Sequence, residues 1–525
     1  MSTHYRLVVV LLMLGLAVTA HAGDVLTLRQ TGPDDERIVV AIVAEGYTAD
    51  QTALFESDLV TAVDGLFAIT PYREYESWFN VYGVFVASNE SGADKPEECF
   101  GTTVERDTAF DATYCTSGIR RLLTVNRGAV LAELNTSVPG WDVSGAMVND
   151  GEYGGSGGPT SVFSTNGASI ELFAHEAGHS FPRLADEYAG NPGVGSSAPE
   201  VNVTVETVLG LIEWSVWIDA DTPLPTPSAT RGVVGAYEGG RYFDNGIFRP
   251  IHDCKMRSLD RPFGEVCREA HVQHFHALVD IIETETPESA TAVEVTPCVD
   301  LDLALTLLSP APDTLTVTWT LDGVVLDGET GPTLSLASGL LTGASHELVA
   351  EVRDATAFVR RPYLTPMTST RTWTLSRADG GAADLDTDGI EDACDPDIDG
   401  DGLLNEDDCS PREALPHAEL PEVTDLRASG RSLLDLTWTS LPELADRPDG
   451  RYGVLRGVLE DLHVERDFRS ACRIELGSEA GASVLAGSLS VYYLLVALDS
   501  CGPGPLGVGS SGPRTVDWVA LPDCP

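Results

Sequence analysis

Hydrophobic and polar positions follow different patterns in the two halves of this 525-residue chain. Up to about residue 290, apolar runs alternate with segments of helical periodicity. The runs typical of buried strands are RIVVAIVAEGYT (37–48), WFNVYGVFVAS (78–88) and AMVND (146–150). This half of the chain therefore predicts a mixed α/β domain, of the α+β type.

Two segments of the same region have the period of a helix. Residues 49–69 predict one helix. Its buried side is expected to carry Leu54, Leu59, Val63, Leu66 and Phe67. SIELFAHEAGHSF (169–181) predicts another, which should end before Pro182 because a residue that precedes proline is disfavoured in the α region.

From about residue 291 the pattern changes to strict alternation, which is typical of half-buried strands. TLTVTWTL (314–321) places Leu315, Val317, Trp319 and Leu321 on one face. Further strands are predicted at 346–352, 370–375, 433–440, 451–457 and 490–507. We expect two all-β sandwiches that serve as spacers or binding modules: one of immunoglobulin-like size, and a C-terminal one that resembles a fibronectin type III domain.

The first 22 residues predict a secretory signal peptide. Arg6 precedes a short apolar run, and Ala20-His21-Ala22 fits the small-x-small cleavage pattern. The run is too short for a membrane span, and no later segment qualifies. We therefore expect a secreted, soluble chain that begins near Gly23. Its formal charge of −49 argues against nucleic acid or anionic lipid as a partner.

Ten cysteines in an exported chain favour disulfides. Proximity in sequence predicts the pairs Cys99–Cys115, Cys254–Cys267, Cys394–Cys409 and Cys472–Cys501. Cys298 and Cys524 are left over, and the sequence does not decide how they pair.

An aspartate-rich segment, DLDTDGIEDACDPDIDGDGLLNEDDCSP (384–411), separates the two sandwiches. Its acids recur at the spacing of calcium-loop ligands, where alternate carboxylates meet one cation and glycine supplies the turn. The predicted calcium ligands are Asp384, Asp386, Asp388, Asp392, Asp397, Asp399, Asp401 and Asn405. The segment lacks the glutamate of an EF-hand, and it resembles thrombospondin type 3 repeats. That resemblance implies two or more structural calcium ions, whereas the alternative is a disordered, self-repelling linker.

The motif HEAGHSFPRLADEY (175–188) carries the clearest chemistry. His175 and His179 are four residues apart and project from one helix face, a spacing that binds zinc, with Glu176 placed as general base. A third ligand has to come from beyond the helix. Asp186 is the leading candidate, and Glu187 and His252 are the alternatives.

Two other features are candidate parts of the site. Met256, in DCKMR, is one of few methionines and is similar to the methionine that lies beneath the metal in metzincin-type proteases. Its alternative role is an ordinary core thioether. The histidines His271, His274 and His276 lack an acid with general-base geometry, so a structural role is favoured for them.

Taken in order, these landmarks resemble the IgA-peptidase family of metzincin-like zinc metallopeptidases. They are EGYT, PYREYESWFNVYGVFVASNESGAD, MVNDGEYGGSGG, HEAGHSFPRLADEY, YFDNGIFRP and CKMRS with a following cysteine, and they span nearly all of residues 24–280. The resemblance implies His175 and His179 as ligands of one zinc ion, Glu176 as catalytic acid/base and Asp186 as third ligand. Metzincin spacing would place glycine at position 182 and the ligand at 185, where this chain has Pro182 and Ala185.

The resulting domain prediction has five parts. They are a signal peptide (1–22), a zinc metallopeptidase domain (23–290), an immunoglobulin-like sandwich (291–378), thrombospondin type 3-like calcium repeats (379–415) and a fibronectin type III-like domain (416–525).

The predicted function is a secreted zinc endopeptidase that acts on extracellular proteins or peptides. The strand at AMVND is expected to pair with an extended substrate, and Tyr188 or Tyr242 to stabilise the oxyanion. The alternatives are a non-catalytic, calcium-stabilised adhesive protein and a zinc amidase that acts on cell-wall peptides. The C-terminal β-domains could serve a binding partner or surface. The sequence does not decide the substrate, the cleavage preference or the oligomeric state.

Overall fold

The computed structural model describes residues 23–361, 366–377, 381–406, 408, 411–412, 420–431, 433–445, 450–459, 471–485, 490–499, 502–504, 506, 508–509, 512–513 and 518–524. The predicted signal peptide, Cys409 and Cys501 lie outside these residues. The chain is multidomain and rich in β-structure. The chain divides into two compact units. The first contains the chain up to Val293, Asp302–Leu336 and His346–Leu375. The second contains Glu294–Leu301, Ala337–Ser345 and the chain from Ser376 onwards.

The first unit is built on a mixed sheet with the strand order β1-β3-β2-β4-β6-β5. Its strands are β1 (Asp24–Arg29), β2 (Ile38–Glu45), β3 (Phe79–Phe85), β4 (Val143–Val148), β5 (Gly155–Ser156) and β6 (Ser161–Ser164). The four inner strands are parallel, whereas β1 and β5 are antiparallel edges. Every residue of β2 is buried, which explains its continuous apolar sequence.

The helices of this unit are α1 (Thr52–Phe67), α2 (Glu97–Phe100), α3 (Arg127–Ser137), α4 (Ser169–Ser180) and α5 (Glu265–Leu278). Helix α1 packs on β3 at Gly83, where a Cβ atom would lie 2.4 Å from Leu59 Cδ2. Val130 and Leu134 of α3 join the strand residues in a separate buried cluster. The buried side of α1 is confirmed from Leu59 onwards, but Leu54 is 43% exposed and Phe55 takes its inward position.

A small sheet, β7-β9-β8, follows the motif helix along the chain. It contains β7 (Ala189–Val194), β8 (Tyr237–Gly240) and β9 (Tyr242–Arg249). Arg241 N–H donates to the carbonyl of Asp186, and Tyr242 N–H to that of Tyr188. These bonds hold the start of β9 beside the segment that follows the motif helix.

The alternating region forms two sheets. One has the order β10-β12-β15, with β10 (Ile282–Thr286), β12 (Leu301–Leu307) and β15 (Thr333–Leu336). The other has the order β11-β17-β16-β13-β14, with β11 (Val293–Glu294), β13 (Leu315–Leu321), β14 (Val324–Val325), β16 (Ser345–Asp354) and β17 (Thr368–Ser376). Val317, Trp319 and Leu321 of β13 are buried, as the alternation predicts.

The C-terminal region contains further antiparallel sheets and the short helix α6 (Pro442–Ala445). One sheet contains β18 (Arg427–Gly430), β19 (Leu433–Thr437) and β22 (Gly481–Leu485). Another contains β20 (Arg451–Val458), β21 (Cys472–Glu475), β23 (Val491–Asp499) and β24 (Gly502–Pro503), and a third β25 (Val508–Gly509) and β26 (Gly512–Pro513).

The disulfides correct three of the four predicted pairs. Cys99–Cys115 is confirmed. Cys394 pairs with Cys298, and Cys472 pairs with Cys524, so the pairs Cys394–Cys409 and Cys472–Cys501 are wrong. Cys254 and Cys267 are buried free thiols rather than a bridge. Sequence proximity failed because the two longer links close loops of 96 and 52 residues, which strand pairing brings together.

Candidate metal centre

Helix α4 and the turn after it bring together three metal-type ligands. The Nε2 atoms of His175 and His179 lie 3.2 Å apart. Beyond Pro182 the chain turns through Arg183, at φ +58°, and Leu184 N–H donates to Gly178 O at 2.9 Å. Asp186 Oδ1 then lies 3.2 Å from each Nε2 atom. We call His175, His179 and Asp186 the triad.

The triangle of the triad fits a zinc ion. Tetrahedral zinc with ligands at about 2.0 Å requires ligand atoms about 3.3 Å apart. Asp186 Oδ1 is buried and accepts no hydrogen bond within the described part of the chain. An unpaired buried carboxylate oxygen is costly unless a cation faces it. The residues present therefore suit the metal that the donor set implies.

Protein groups fix the orientation of each ligand. His175 Nδ1 lies 2.9 Å from the carbonyl of Lys255, and His179 Nδ1 lies 2.7 Å from that of Leu184. A carbonyl only accepts, so each Nδ1 carries a hydrogen, and each ring in its neutral, metal-binding form presents a lone pair at Nε2. The Tyr242 hydroxyl donates to Asp186 Oδ2.

The close approach of the three groups also shifts the pKa values of Asp186 and His179. Burial alone would raise the pKa of Asp186, but the nearby rings of His175 and His179 and the hydrogen bond from Tyr242 outweigh it and hold that pKa well below its usual range. For His179, burial lowers the pKa, yet Asp186 and Glu176 raise it further, to about 9. Metal binding to this site would therefore displace a proton.

Met256 lies directly beneath the motif helix and is fully buried. A Cβ atom on Gly178 would lie only 2.8 Å from Met256 Sδ, so the helix approaches the thioether because position 178 has no side chain. The preceding residue, Lys255, supplies the carbonyl that orients His175. The turn around Met256 thus supports the triad from below.

Glu176 faces the cleft from the same helix and is 7% exposed. Burial raises its pKa, and the nearby His175 and His179 only partly oppose that shift. A Cβ atom on Gly157 would lie 2.3 Å from Glu176 Oε2. The glycine therefore leaves space in front of a carboxylate whose pKa is raised by burial.

A cleft of about 750 Å³ opens over these groups. Besides the triad and Glu176, its lining includes Arg121, Leu122, Arg127, Ser156, Gly157, Gly158, Tyr188, Glu200, Arg241 and Tyr242. The sequence had not singled out Arg121 and Arg127. The available signal was a pair of arginines at 120 and 121 in an acidic chain.

The structure corrects the strand expected to pair with substrate. AMVND lies at the end of β4, which is hydrogen-bonded to β2 on one side and to β6 on the other and so has no free edge. The edge strand at the cleft is β5, whose Gly155 N–H is already taken by the Arg121 carbonyl. Gly157 and Gly158, which follow β5 directly, line the cleft. Their backbone is therefore the part of this edge that a substrate could contact.

Both candidate tyrosines lie near the triad. The Tyr242 hydroxyl donates a hydrogen bond to Asp186. The rings of Tyr188 and Tyr242 pack edge to face, with their centroids 5.1 Å apart. Burial and the Asp186 charge raise the pKa of Tyr188 to about 12. Tyr188 therefore stays protonated and can donate a hydrogen bond, whereas the single hydroxyl proton of Tyr242 is already donated to Asp186.

The alternative third ligands do not reach the triad. Glu187 points away, where it accepts hydrogen bonds from Cys254 Sγ at 3.0 Å, Cys267 Sγ at 3.2 Å and Asn202 Nδ2 at 3.0 Å. His252 Nδ1 lies 3.1 Å from an Arg231 nitrogen. Asp186 is the candidate that the structure brings to the two histidines.

The downstream histidines have separate surroundings rather than a common centre. His271 is buried, and burial lowers its pKa to about 4. The His274 ring packs on Phe181 at 4.3 Å, and His276 Nε2 lies 3.0 Å from Asp354. Each therefore has a structural environment.

The aspartate-rich segment forms two loops of matching geometry. Asp384 and Asp397 each accept a hydrogen bond from the glycine five residues later, Gly389 and Gly402. In each loop, three carboxylates approach within 4.8 Å of one another: Asp384, Asp386 and Asp388 in the first, and Asp397, Asp399 and Asp401 in the second.

The fourth predicted ligands serve the backbone instead. Asp392 accepts from Leu385 N–H and Asn405 from Ile398 N–H. In the second loop, buried oxygens of Asp397, Asp399 and Asp401 have no hydrogen-bond partner in the described residues. For Asp399, burial and then neighbouring carboxylates raise the pKa despite a bond from Asp401 N–H. Within the described residues, no Lys or Arg forms an ion pair with the aspartates of this loop.

No curated protein matches the sequence. Among solved structures, the FN1–FN3 domains of chicken CNTN1 are similar at 10% identity and a TM-score of 0.14, over 42% of this chain and 60% of that chain. The central fibronectin-III array of RIM-binding protein is similar at 10% identity and a TM-score of 0.12, over 44% and 67%. Scores this low carry no inference.

The N-terminal half gives a specific result. The model of the IgA Peptidase M64 family matches residues 26–233 and 228–275, the region that contains α4, the triad and Met256. This match supports a peptidase of that family in this region, and the family suggests a metallopeptidase.

Proposed function

We propose that the protein is a secreted zinc endopeptidase, with residues 23–290 as its catalytic domain. The main supporting observation is that His175 Nε2, His179 Nε2 and Asp186 Oδ1 lie 3.2 Å from one another. The Glu176 carboxylate lines the same cleft. Three ligands and an open cleft are typical of catalytic rather than structural zinc. The family match supports the peptidase part of this proposal.

Different residues of the chain would have different roles in hydrolysis. Zinc, when bound, activates water and polarises the scissile carbonyl. Glu176 would accept the proton of the attacking water at Oε2 and deliver it to the departing amine, a role favoured by its raised pKa. A protonated Tyr188 would donate to the developing oxyanion, whereas Tyr242 could do so only if its hydroxyl released Asp186. Gly157 and Gly158 would leave room for the substrate backbone.

The loops at 384–401 are proposed to bind structural calcium, one ion each. Oxygen-only donors suit a hard cation, and the unpaired oxygens of Asp397, Asp399 and Asp401 support this reading. The repeats (379–415) would then separate two accessory β-domains (291–378 and 416–525). Among the helices that the structure describes, none is both long and apolar enough to cross a bilayer. Secretion rests on the predicted signal peptide at 1–22.

The main competing function is a non-catalytic adhesive protein. An inactive scaffold would not require Glu176 beside an intact triad, and this favours the enzyme. Assays of protein, peptide and cell-wall peptide substrates would separate an endopeptidase from an amidase.

The test compares the mature wild-type chain with Glu176→Gln. Zinc is counted by elemental analysis, and casein and a peptide library are assayed. We expect one zinc per chain in both proteins and a loss of about 10³-fold in kcat/KM in the variant. Glu56→Gln, an exposed change on α1, is the matched control and should behave as wild type. Activity that survives Glu176→Gln, or a wild-type chain that binds no zinc, would refute the proposal.

A further inference from the structure

The cleft has a cationic lining although the chain as a whole is acidic. The sequence contains 81 Asp and Glu against 32 Lys and Arg. Arg121, Arg127 and Arg241 nevertheless line the same cleft as the triad. In a chain of this composition, three arginines around one cleft require an explanation.

A neighbouring acid neutralises one of the three. Arg241 Nε lies 3.0 Å from Glu200. Among the residues that the structure describes, no carboxylate forms an ion pair with Arg121 or Arg127. The charges of Glu176 and Asp186 balance those of a divalent ion, so the zinc-loaded cleft would keep a surplus of two positive charges.

Gly157 connects Arg127 to the reacting groups. The Gly157 carbonyl accepts from Arg127 Nη2 at 2.6 Å, and Ser156 Oγ accepts from the same nitrogen at 3.0 Å. The other side of Gly157 faces Glu176 Oε2. These bonds place the Arg127 guanidinium next to Gly157, the residue that borders Glu176.

Arg121 adds a second charge to the same wall. Its carbonyl accepts from Gly155 N–H at 3.1 Å, which ties its backbone to β5. Its side chain is exposed and has no hydrogen-bond partner in the described part of the chain. The half-buried, fixed Arg127 and the exposed Arg121 therefore border one end of the cleft together.

We propose that Arg121 and Arg127 form a carboxylate-binding subsite that directs cleavage to peptide bonds beside an acidic residue. Arginine binds carboxylates through paired N–H groups, and such bonds strengthen when water is excluded. An extended peptide advances about 3.4 Å per residue, so a side chain adjacent to the scissile bond would reach Arg127. The same chemistry would accept an Asp or Glu side chain or a free C-terminal carboxylate.

The test uses quenched fluorescent peptides that differ at one position. Glu, Gln and Lys are placed in turn at each residue next to the scissile bond, and each peptide is made with a free and an amidated C-terminus. For wild type we expect kcat/KM to be about 10- to 100-fold higher with Glu than with Gln. A preference that follows the free terminus instead would identify the C-terminal carboxylate as the ligand.

Variants assign the preference to the two arginines. Arg121→Gln and Arg127→Gln should each reduce the Glu-to-Gln ratio, and the double variant should bring it near one. Arg121→Glu should shift the preference toward Lys, whereas Arg127→Lys should retain part of it. Arg120→Gln is the matched control, because Arg120 pairs with Glu152 at 3.0 Å and does not line the cleft.

The subsite proposal rests on the proposed function but can fail separately. Binding of the Glu and Gln peptides to the zinc-loaded Glu176→Gln chain gives a readout without turnover. Equal affinity for the two peptides, or a preference that survives the double variant, would overturn the subsite. Zinc content that stays equal in all variants and a preference that weakens with added salt would support it.

Discussion

The triad and the two aspartate loops both gather metal-type ligands, but different groups hold the ligands in place. In the triad, carbonyls and a tyrosine hydroxyl orient each ligand, and the donors are two neutral rings and one carboxylate. In the loops, the hydrogen bonds described for the six carboxylates come from backbone N–H groups of the same loops. In the described residues, no Lys or Arg forms an ion pair with any of the six.

This difference separates two uses of a metal. A preformed, protein-supported site can persist without its ion, so metal removal should stop chemistry and leave the fold. Six like charges in two short loops repel one another, so metal removal should loosen the segment itself. The contrast can be tested from either side.

The largest expected effect is on the triad. Asp186→Asn should lower zinc affinity and reduce kcat/KM by about 100-fold or more, because an amide oxygen is a weaker ligand than a carboxylate. The fold should remain, since Tyr242 can still donate to the amide oxygen. Zinc titration and peptide hydrolysis would measure both effects. Asp244→Asn, an exposed change on β9, is the control, and an unchanged zinc affinity in Asp186→Asn would exclude Asp186 as ligand.

A buried carboxylate that already has protein partners provides a reference. Asp354 accepts hydrogen bonds from Tyr75, Thr314, Thr356 and His276. Asp354→Asn should lower the free energy of unfolding by about 3 kcal/mol. The reason is that the asparagine NH2 group, which can only donate, would face partners that also donate. Chemical denaturation would measure the loss, with the exposed Asp327→Asn as control. A loss below 0.5 kcal/mol would show that these partners are not needed.

The same carboxylate predicts a pH dependence. Burial raises the pKa of Asp354, but hydrogen bonds from His276, Thr314 and Tyr75 outweigh it and hold the pKa below its ordinary value. The stabilisation is therefore complete above the unfolded value of about 4 and disappears as pH falls through the folded value. The difference in unfolding free energy between wild type and Asp354→Asn should shrink below about pH 4. A constant difference down to pH 2 would contradict it.

Calcium removal should have an intermediate effect that is confined to the loops. At a free concentration of 100 times Kd, a bound ion stabilises its loop by about 2.7 kcal/mol. Chelation should therefore expose residues 384–408 to proteolysis, and Asp399→Asn should weaken the protection by calcium. Glu479→Gln, outside the loops, should leave it intact. If resistance to proteolysis is the same with and without calcium, the loops are preformed like the triad and do not need the ion to keep their structure.

The smallest effect is expected beneath the triad. Met256→Leu conserves volume and should lower the unfolding free energy by less than about 1.5 kcal/mol. The change in kcat should be a few-fold, since His175 is held by the Lys255 carbonyl rather than by the thioether. Thermal melting and steady-state kinetics would measure both. A loss of zinc would show instead that the methionine controls the ligands directly.

Local patterns predicted most of the elements but not the long-range partners. The motif helix, the strand of residues 38–45 and the alternation around Trp319 are recoverable because hydrophobic period reports burial directly. Disulfides over 96 and 52 residues are not, since strand order decides them.

The same limit applies within the site. Spacing put His175, Glu176 and His179 on one helix, and it left the choice among Asp186, Glu187 and His252 open. The turn through Pro182 and Arg183 selects the partner, because it directs Asp186 back toward the helix and Glu187 toward the thiols. Arg121 and Arg127 were missed because a cleft is a property of tertiary packing.

The missing side chain at Gly178 makes the helix and the methionine turn inseparable. In a saturation mutagenesis screen, position 178 should favour glycine and should tolerate alanine better than any larger side chain, because the Met256 thioether faces it. Even alanine would place a carbon 2.8 Å from Met256 Sδ, so either the thioether or the helix would have to shift. A smaller residue at 256 should restore such variants, so the pair would appear as coupled positions among natural or selected sequences.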